Sequence, residues 1–301
     1  MSRVSRRELL LGSAALLAAA PSARAQPETP WAGEPVIDCH HHVRVNLDEN
    51  AAHVLGAGMT AAMPNSLALG GDSAARDAVR RLCAEHPERF PAWLSSVAPT
   101  LAGDDARLTA DIIGGAKGFG EIKAMVAADG PEMRRIYALA GELKVPVLIH
   151  FDNENDTGFE RIEALLKAFP STRFMAHANA FWGNIDANYD GTPYPRGKVT
   201  PGGLSDRLLS DYGNLFGDLS AYSGYNGLTR DPAFTPGFIE RHQDKLIFGS
   251  DCPCHDGRGA GVRGDMCQAR MILGALKANS SAPAFRKMVW FNAHRVYRLP
   301  A

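Results

Sequence analysis

The residues best able to do chemistry in this 301-residue chain are histidines and carboxylates that close apolar runs. The first group lies in "VIDCHHHV", residues 36–43, where an aspartate precedes three consecutive histidines in a chain with ten in all. Successive side chains of a strand face opposite ways, so Asp38, His40 and His42 are expected on one face and His41 on the other. Two imidazoles at that spacing can hold one metal ion, or can be hydrogen-bonded polar residues at a strand end. Further on, His150 closes "VLIH", His177 closes "FMAH" and Asp251 closes "IFGSD". One such residue is ordinarily a cap. Several of them ending separate runs, beside a His-x-His pair, point to a shared metal centre.

The chemistry of such a centre is hydrolytic. A divalent ion held by imidazoles and carboxylates lowers the pKa of a bound water to about 7. Asp251, acceptor-only when ionised, can take the water's proton and return it to a leaving group. That suits an amide, lactone or ester. His177 or His41 could support the oxyanion or the water. Zinc is the first expectation for the ion, and the same ligand set suits manganese or iron.

Elements must position these residues. Eight strand candidates run along the chain, at 35–42, 59–64, 91–98, 116–124, 145–151, 172–178, 214–220 and 245–251. Most are continuous apolar runs, as expected for parallel strands covered on both faces. Helical spacing separates them, as in Ile136, Tyr137, Ala140 and Leu143, or Phe159, Ile162, Leu165, Leu166 and Phe169. This alternation predicts an α/β fold, a (β/α)8 TIM barrel with its site at the C-terminal ends of the strands. An open doubly wound sheet competes, but no glycine-rich phosphate fingerprint follows the first strand. Two long loops, 179–206 and 252–264, would rise over the site.

With those strands placed, "IDCHHH", "VPVLIH", "FMAHAN", "IFGSDCP" and the closing "WFNAHRVYRL" resemble the amidohydrolase superfamily. More narrowly, they resemble its amidohydrolase-related branch of metal-dependent hydrolases and decarboxylases. The resemblance covers nearly all of residues 35–299. It implies a metal-bearing (β/α)8 barrel with His40, His42, His150, His177 and Asp251 as ligands, and Asp251 handling the proton of the water. In "GFGEIKAM" the "GEI" resembles the strand-four motif of metal-dependent deoxyribonuclease-like relatives, whose glutamate bridges two metals. Glu121 is therefore the expected ligand on that strand, and the chain would carry one or two ions. Lys123 could hold a substrate carboxylate, form a carbamate, or pair with Glu121 or Asp251.

Other residues are weaker candidates. Arg44, two residues past His42, could face the metal and favour a decarboxylase. Trp182, Tyr189 and Tyr194 could close over a substrate. Asp218 and Ser220 could line the pocket or cap a strand. Cys252, Cys254 and His255 form a compact group that is read as loop chemistry near the pocket rather than a second metal site. His53, His86, His242 and His294 are read as structural.

The bulk of the sequence narrows the setting. "MSRVSRRELLLGSAALLAAAPSARA" has a basic head, a short apolar stretch and a small-residue end, the layout of a cleaved export signal. The pair Arg6-Arg7 matches the twin-arginine type. Residues 1–25 are thus expected to be removed, leaving 26–301 as one domain in the periplasm or outside the cell, with the twin-arginine export machinery as a partner. Removing the four arginines and one glutamate of residues 1–25 from 32 basic and 33 acidic residues leaves 28 against 32, a net of −4. That balance gives no support for nucleic-acid binding, and no later segment is apolar enough to span a membrane. Five cysteines are too few for a disulfide framework. The leading expectation is an exported metal-dependent hydrolase of a small molecule. Behind it stand a non-oxidative decarboxylase of an aromatic or unsaturated acid, a phosphodiester hydrolase, and a non-catalytic periplasmic metal-binding barrel.

Overall fold

The computed structural model describes residues 30–67, 70–99 and 104–299; the export-signal reading of residues 1–25 lies outside them. Eight strands alternate with helices, seven inside the predicted runs and β2 running one residue past the predicted 59–64, to Asn65. They are β1 (Ile37–His42), β2 (Ala61–Asn65), β3 (Trp93–Ser95), β4 (Ala116–Ile122), β5 (Pro146–His150), β6 (Arg173–His177), β7 (Leu215–Asp218) and β8 (Leu246–Ile247). All neighbouring pairs are parallel, β1 with β2 and β3 through β8 in sequence order. The ends of the series meet. Cys39 N–H of β1 donates to Phe248 O just past β8, and Asp251 N–H donates to His40 O. The fold is the expected (β/α)8 barrel.

The connections before β6 are helical: α1 (Asp48–Gly56), α2 (Ser73–Glu85), α3 (Asp104–Ile113), α4 (Pro131–Leu143) and α5 (Ile162–Ala168). Later come α6 (Ala178–Gly183), α7 (Leu204–Asp211), α8 (Ala221–Thr229) and α9 (Thr235–His242). The chain closes with α10 (Gln268–Asn279), α11 (Ala282–Arg286) and α12 (Asn292–Tyr297). Local chemistry explains their limits. Asp72 caps α2 by accepting from Ala75 N–H. Pro131 opens α4, and Lys144 ends it in a left-handed conformation, turning the chain into β5. Met133, Ile136, Tyr137 and Ala140 form its buried stripe, as the spacing predicts.

Period-two alternation then splits the core in two. Val147 and Ile149 of β5, Phe174 and Ala176 of β6, and Leu215 of β7 face the helices. Leu148, Met175, Phe216 and Ile247 fill the barrel interior together with Ile37 and Cys39 of β1, and Val296 and Tyr297 of α12 pack into the same cluster.

Two strands break that alternation, and both carry site residues. In β1 the pairing register shifts between Asp38 and His41. Ile37 and Cys39 join the interior cluster, yet His40 and His42 also point into the site. Asp38 therefore does not share their face as strict alternation predicted. Its carboxylate instead accepts from Ser250 Oγ at 2.5 Å and lies 3.7 Å from His41 Nδ1. In β4 the register shifts between Phe119 and Ile122, which both face the helix layer, while Glu121 turns inward. An irregularity of this kind re-aims side chains without ending the sheet.

Candidate metal centre

The strand ends bring most of the expected ligands together. His40 Nε2 lies 3.2 Å from His42 Nε2, and both face Glu121 Oε2, at 3.4 and 3.2 Å. Asp251 Oδ1 is 3.0 Å from His42 Nε2 and 3.9 Å from His40 Nε2. His177 Nε2 is 3.6 Å from Glu121 Oε1 and 3.7 Å from Asp251 Oδ2. These five residues thus meet at the mouth of the barrel in two ligand groups that share His40, one with His42 and Asp251 and one with Glu121 and His177. His150 stands at its edge. Its Nδ1 contacts Glu121 Oε1 at 2.7 Å and its Nε2 contacts Asp152 Oδ2 at 2.9 Å, so both ring nitrogens already have carboxylate partners.

The histidines are oriented from behind. His40 Nδ1–H donates to Asp218 Oδ2 at 2.6 Å. His177 Nδ1 lies 2.8 Å from Ser220 Oγ, whose hydroxyl donates to Asp218 Oδ2 at 2.7 Å. With Nδ1–H fixed in both rings, a cation that took the place of any second ring proton would meet Nε2 lone pairs, the arrangement a metal-ligating imidazole adopts. Asp218 and Ser220, candidates to line the pocket or cap a strand, thus hold the ligand rings from the side away from the cavity. Gly249 makes room for this. A Cβ there would stand 2.4 Å from Asp218 Oδ1 and 2.6 Å from His40 Cβ.

The backbone is strained where the site is built. Ala178, Ala221 and Asp251 all have left-handed φ values, at 75°, 61° and 47°. Each follows a site residue or is one, and such conformations concentrate at functional sites.

Electrostatics show what the cluster requires. Burial alone would lower the pKa of His40, but Asp218, Glu121 and Asp251 hold it well above the usual histidine range. His42 is likewise opposed by burial and pushed up to about 9 by Asp251 and Glu121. Burial, with His40 adding to it, brings His177 down to about 4. Glu121 is held far below the ordinary carboxylate value against its burial, chiefly by His40 and His150. The carboxylates therefore demand positive charge between the His40 and His42 rings, while His177 stays neutral. His177 Nε2 is buried and has no hydrogen-bond partner. An orphaned acceptor facing two carboxylates, next to two imidazole nitrogens 3.2 Å apart, fits a divalent cation bound through nitrogen and oxygen.

A cavity of about 400 Å³ opens over the cluster, with Lys123, His150, His177, Tyr194, Tyr222 and Asp251 in its wall. Lys123 lies just past the end of β4 and is exposed, and it pairs with neither Glu121 nor Asp251. Tyr194 reaches the site as expected for the long loop, while Tyr222 on α8 was not foreseen. Two candidate substrate residues have other tasks. Trp182 is buried and its Nε1–H donates to Asp218 O at 2.9 Å, beneath the site rather than over it. Arg44 lines a cavity beside His42 and Asp251, but its guanidinium is taken up by carbonyls, donating to Cys252 O at 2.8 Å and to Cys254 O at 2.8 and 3.0 Å. The reason is the β1 irregularity followed by the turn into α1, which carries residue 44 away from the His40–His42 face. Asp152 also escaped notice in the sequence, where it reads as an ordinary turn residue; its Oδ1 accepts from Glu154 N–H and Asn155 N–H.

Comparison with known proteins agrees with the fold. The profile described as "Amidohydrolase" matches residues 22–299. No curated protein matches the chain. Among solved structures, a probable 2-pyrone-4,6-dicarboxylic acid hydrolase from Acinetobacter baumannii is 13% identical with a TM-score of 0.59, covering 88% of this chain and 99% of its own. Dihydroorotase from Campylobacter jejuni is 17% identical with a TM-score of 0.57, covering 89% and 84%. A 5-carboxyvanillate decarboxylase from Novosphingobium aromaticivorans DSM 12444, complexed with manganese and 4-hydroxy-3-methoxy-5-nitrobenzoic acid, is 13% identical with a TM-score of 0.56, covering 89% and 97%.

Proposed function

The chain belongs to the amidohydrolase family, and on that premise we propose that it is a metal-dependent hydrolase of a small carboxylated amide, lactone or ester. The observation that carries this reading is Glu121. It presents Oε2 to His40 and His42 and Oε1 to His150 and His177, within reach of Asp251's ligand partners. His40, His42, Glu121, His177 and Asp251 would hold the ion, with His150 at its border. When bound, the ion would supply Lewis acidity and make a water nucleophilic at neutral pH.

The chain's own residues would do the rest. Asp251 is the more accessible carboxylate of the group, half-buried with its side chain 25% accessible at the cavity wall. It is held low, at about 2, against its burial by His40 and His42, so it is ionised and free to accept a proton from a nucleophilic water. It would then pass that proton to the departing amine or alkoxide. Lys123 would pair with a substrate carboxylate, and Tyr194 and Tyr222 would bound the acyl group. The same barrel hosts lactone hydrolysis, dihydroorotase and decarboxylase activities in other proteins, so the fold alone does not choose. The commitment of Arg44, the arginine that would favour decarboxylation, to loop carbonyls supports the hydrolase reading over the decarboxylase. We also read the protein as exported, from residues 1–25.

The deciding experiment loads the chain with zinc or manganese and offers cyclic and linear carboxylated amides, lactones and esters beside hydroxylated benzoates. Hydrolysis abolished by chelator and diminished in Lys123→Ala through KM supports the reading. Carbon dioxide release from the benzoates, with the other substrates untouched, would replace it by the decarboxylase.

A further inference from the structure

Away from the barrel mouth, a second cluster of metal-binding side chains is fully buried. Cys252 and Cys254 follow β8, Cys267 immediately precedes α10, and His53 lies on α1. Cys252 Sγ is 3.3 Å from Cys254 Sγ and 3.7 Å from Cys267 Sγ, and Cys267 Sγ is 3.8 Å from His53 Nε2. All four ligand atoms lie within 4.8 Å of one another. Zinc–sulfur bonds of about 2.3 Å arranged tetrahedrally require sulfur–sulfur edges of about 3.8 Å. We propose that His53, Cys252, Cys254 and Cys267 form a structural zinc site of the three-cysteine, one-histidine type, separate from the nitrogen–oxygen centre.

Charge supplies an independent argument. Arg44 is buried against this cluster, and its hydrogen bonds go to the carbonyls of His42, Cys252 and Cys254 and to His41 Nε2. Among the described residues no carboxylate forms an ion pair with it. A buried guanidinium without a counter-charge is costly. Zinc with three thiolates and a neutral imidazole carries a net charge of −1, which answers the arginine.

A disulfide explains the cluster less well. Pairing any two of the three sulfurs leaves the third and the imidazole buried without a role, whereas one zinc uses all four groups. His255, adjacent in sequence to the two cysteines in a group expected to be loop chemistry rather than a metal site, is exposed and lies 3.4 Å from Glu49. His53, some 200 residues earlier in the chain, supplies the imidazole beside the sulfurs instead. The site would staple the loop after β8 and the start of α10 to α1. Asp251 directly precedes Cys252 in that loop, so the staple would also hold the strained backbone of the proposed proton acceptor.

The test separates the two centres. The full chain carrying His40→Ala and His42→Ala, purified without a histidine tag or chelator, should retain one zinc per chain. Its zinc-edge X-ray absorption should show sulfur neighbours at about 2.3 Å. Cobalt(II) exchanged into the unaltered chain should give a sulfur-to-cobalt charge-transfer band, which a nitrogen–oxygen site cannot produce. Cys254→Ser with Cys267→Ser should abolish that band. Nitrogen and oxygen neighbours alone, a disulfide detected as a mass lower by two hydrogens, or five titratable thiols without zinc release would each overturn the proposal.

Discussion

At the scale of the residue, the site depends on which atom of each side chain faces the cavity. Asp251 and Glu121 are both carboxylates of one cluster, but only Asp251 reaches the cavity wall with appreciable exposure. Asp251→Asn should therefore lower turnover by about 10²–10⁴-fold while metal content, by elemental analysis, falls far less. Unchanged turnover would remove Asp251 from the role of proton acceptor. Asp218 acts on the reaction only through His40 and Ser220. Asp218→Ala should cost about 10–100-fold in metal affinity, measured by competition with a chelating dye. At saturating metal, turnover should largely recover.

At the scale of the element, the loop following β5 carries a carboxylate in an unfavourable place. Asp156 is buried, its Oδ1 has no partner, and Oδ2 has only a long 3.4 Å contact from Ala124 N–H. Burial pushes its pKa up to about 8; the Ala124 N–H opposes this, and the charges of Glu121 and Asp152 add to the rise. A folded-state pKa above the unfolded value of about 3.9 means the folded chain binds the extra proton. Its contribution is then most favourable below about pH 4, is lost progressively as pH rises to about 8, and is constant above that. Asp156→Asn mimics the protonated form and tolerates the left-handed φ of 43° at this position. Urea midpoints of the two proteins should nearly coincide at acidic pH, and the variant should be the more stable at pH 9. Equal midpoints at both pH values would mean that Asp156 is solvated.

At the scale of the whole molecule, the barrel gathers ligands from five of its strands, spread over more than 200 residues of chain, so the centre and the fold stand or fall together. No helix among the described residues is long and apolar enough to cross a membrane. The twin-arginine route proposed for export rests on Arg6 and Arg7 and is open to direct test. Arg6→Lys with Arg7→Lys should leave the full-length precursor inside the cell, seen by fractionation and mass. Normal processing of that variant would point to a general secretion route instead.

The sequence by itself determined the eight strands, because near-continuous apolar runs of that length between helical repeats have few alternatives to a parallel barrel. It also determined the residues at two strand ends, since His150 and His177 each close a strand whose register cannot slip without exposing apolar side chains, whereas β8 stops at Ile247 and Asp251 lies four residues beyond it. Glu121 was legible only through its motif. What the tertiary structure decided is everything that depends on departures from regular geometry. The shift within β1 sends Asp38 away from His40, and the turn beyond carries Arg44 to the loop after β8. Asp218, Ser220, Asp152, His53 and Cys267 acquire their roles from neighbours distant in the chain or from a turn that composition does not mark. A periodic pattern encodes which face a side chain takes on an ideal strand. It does not encode where the strand is broken, and that is where this site is built.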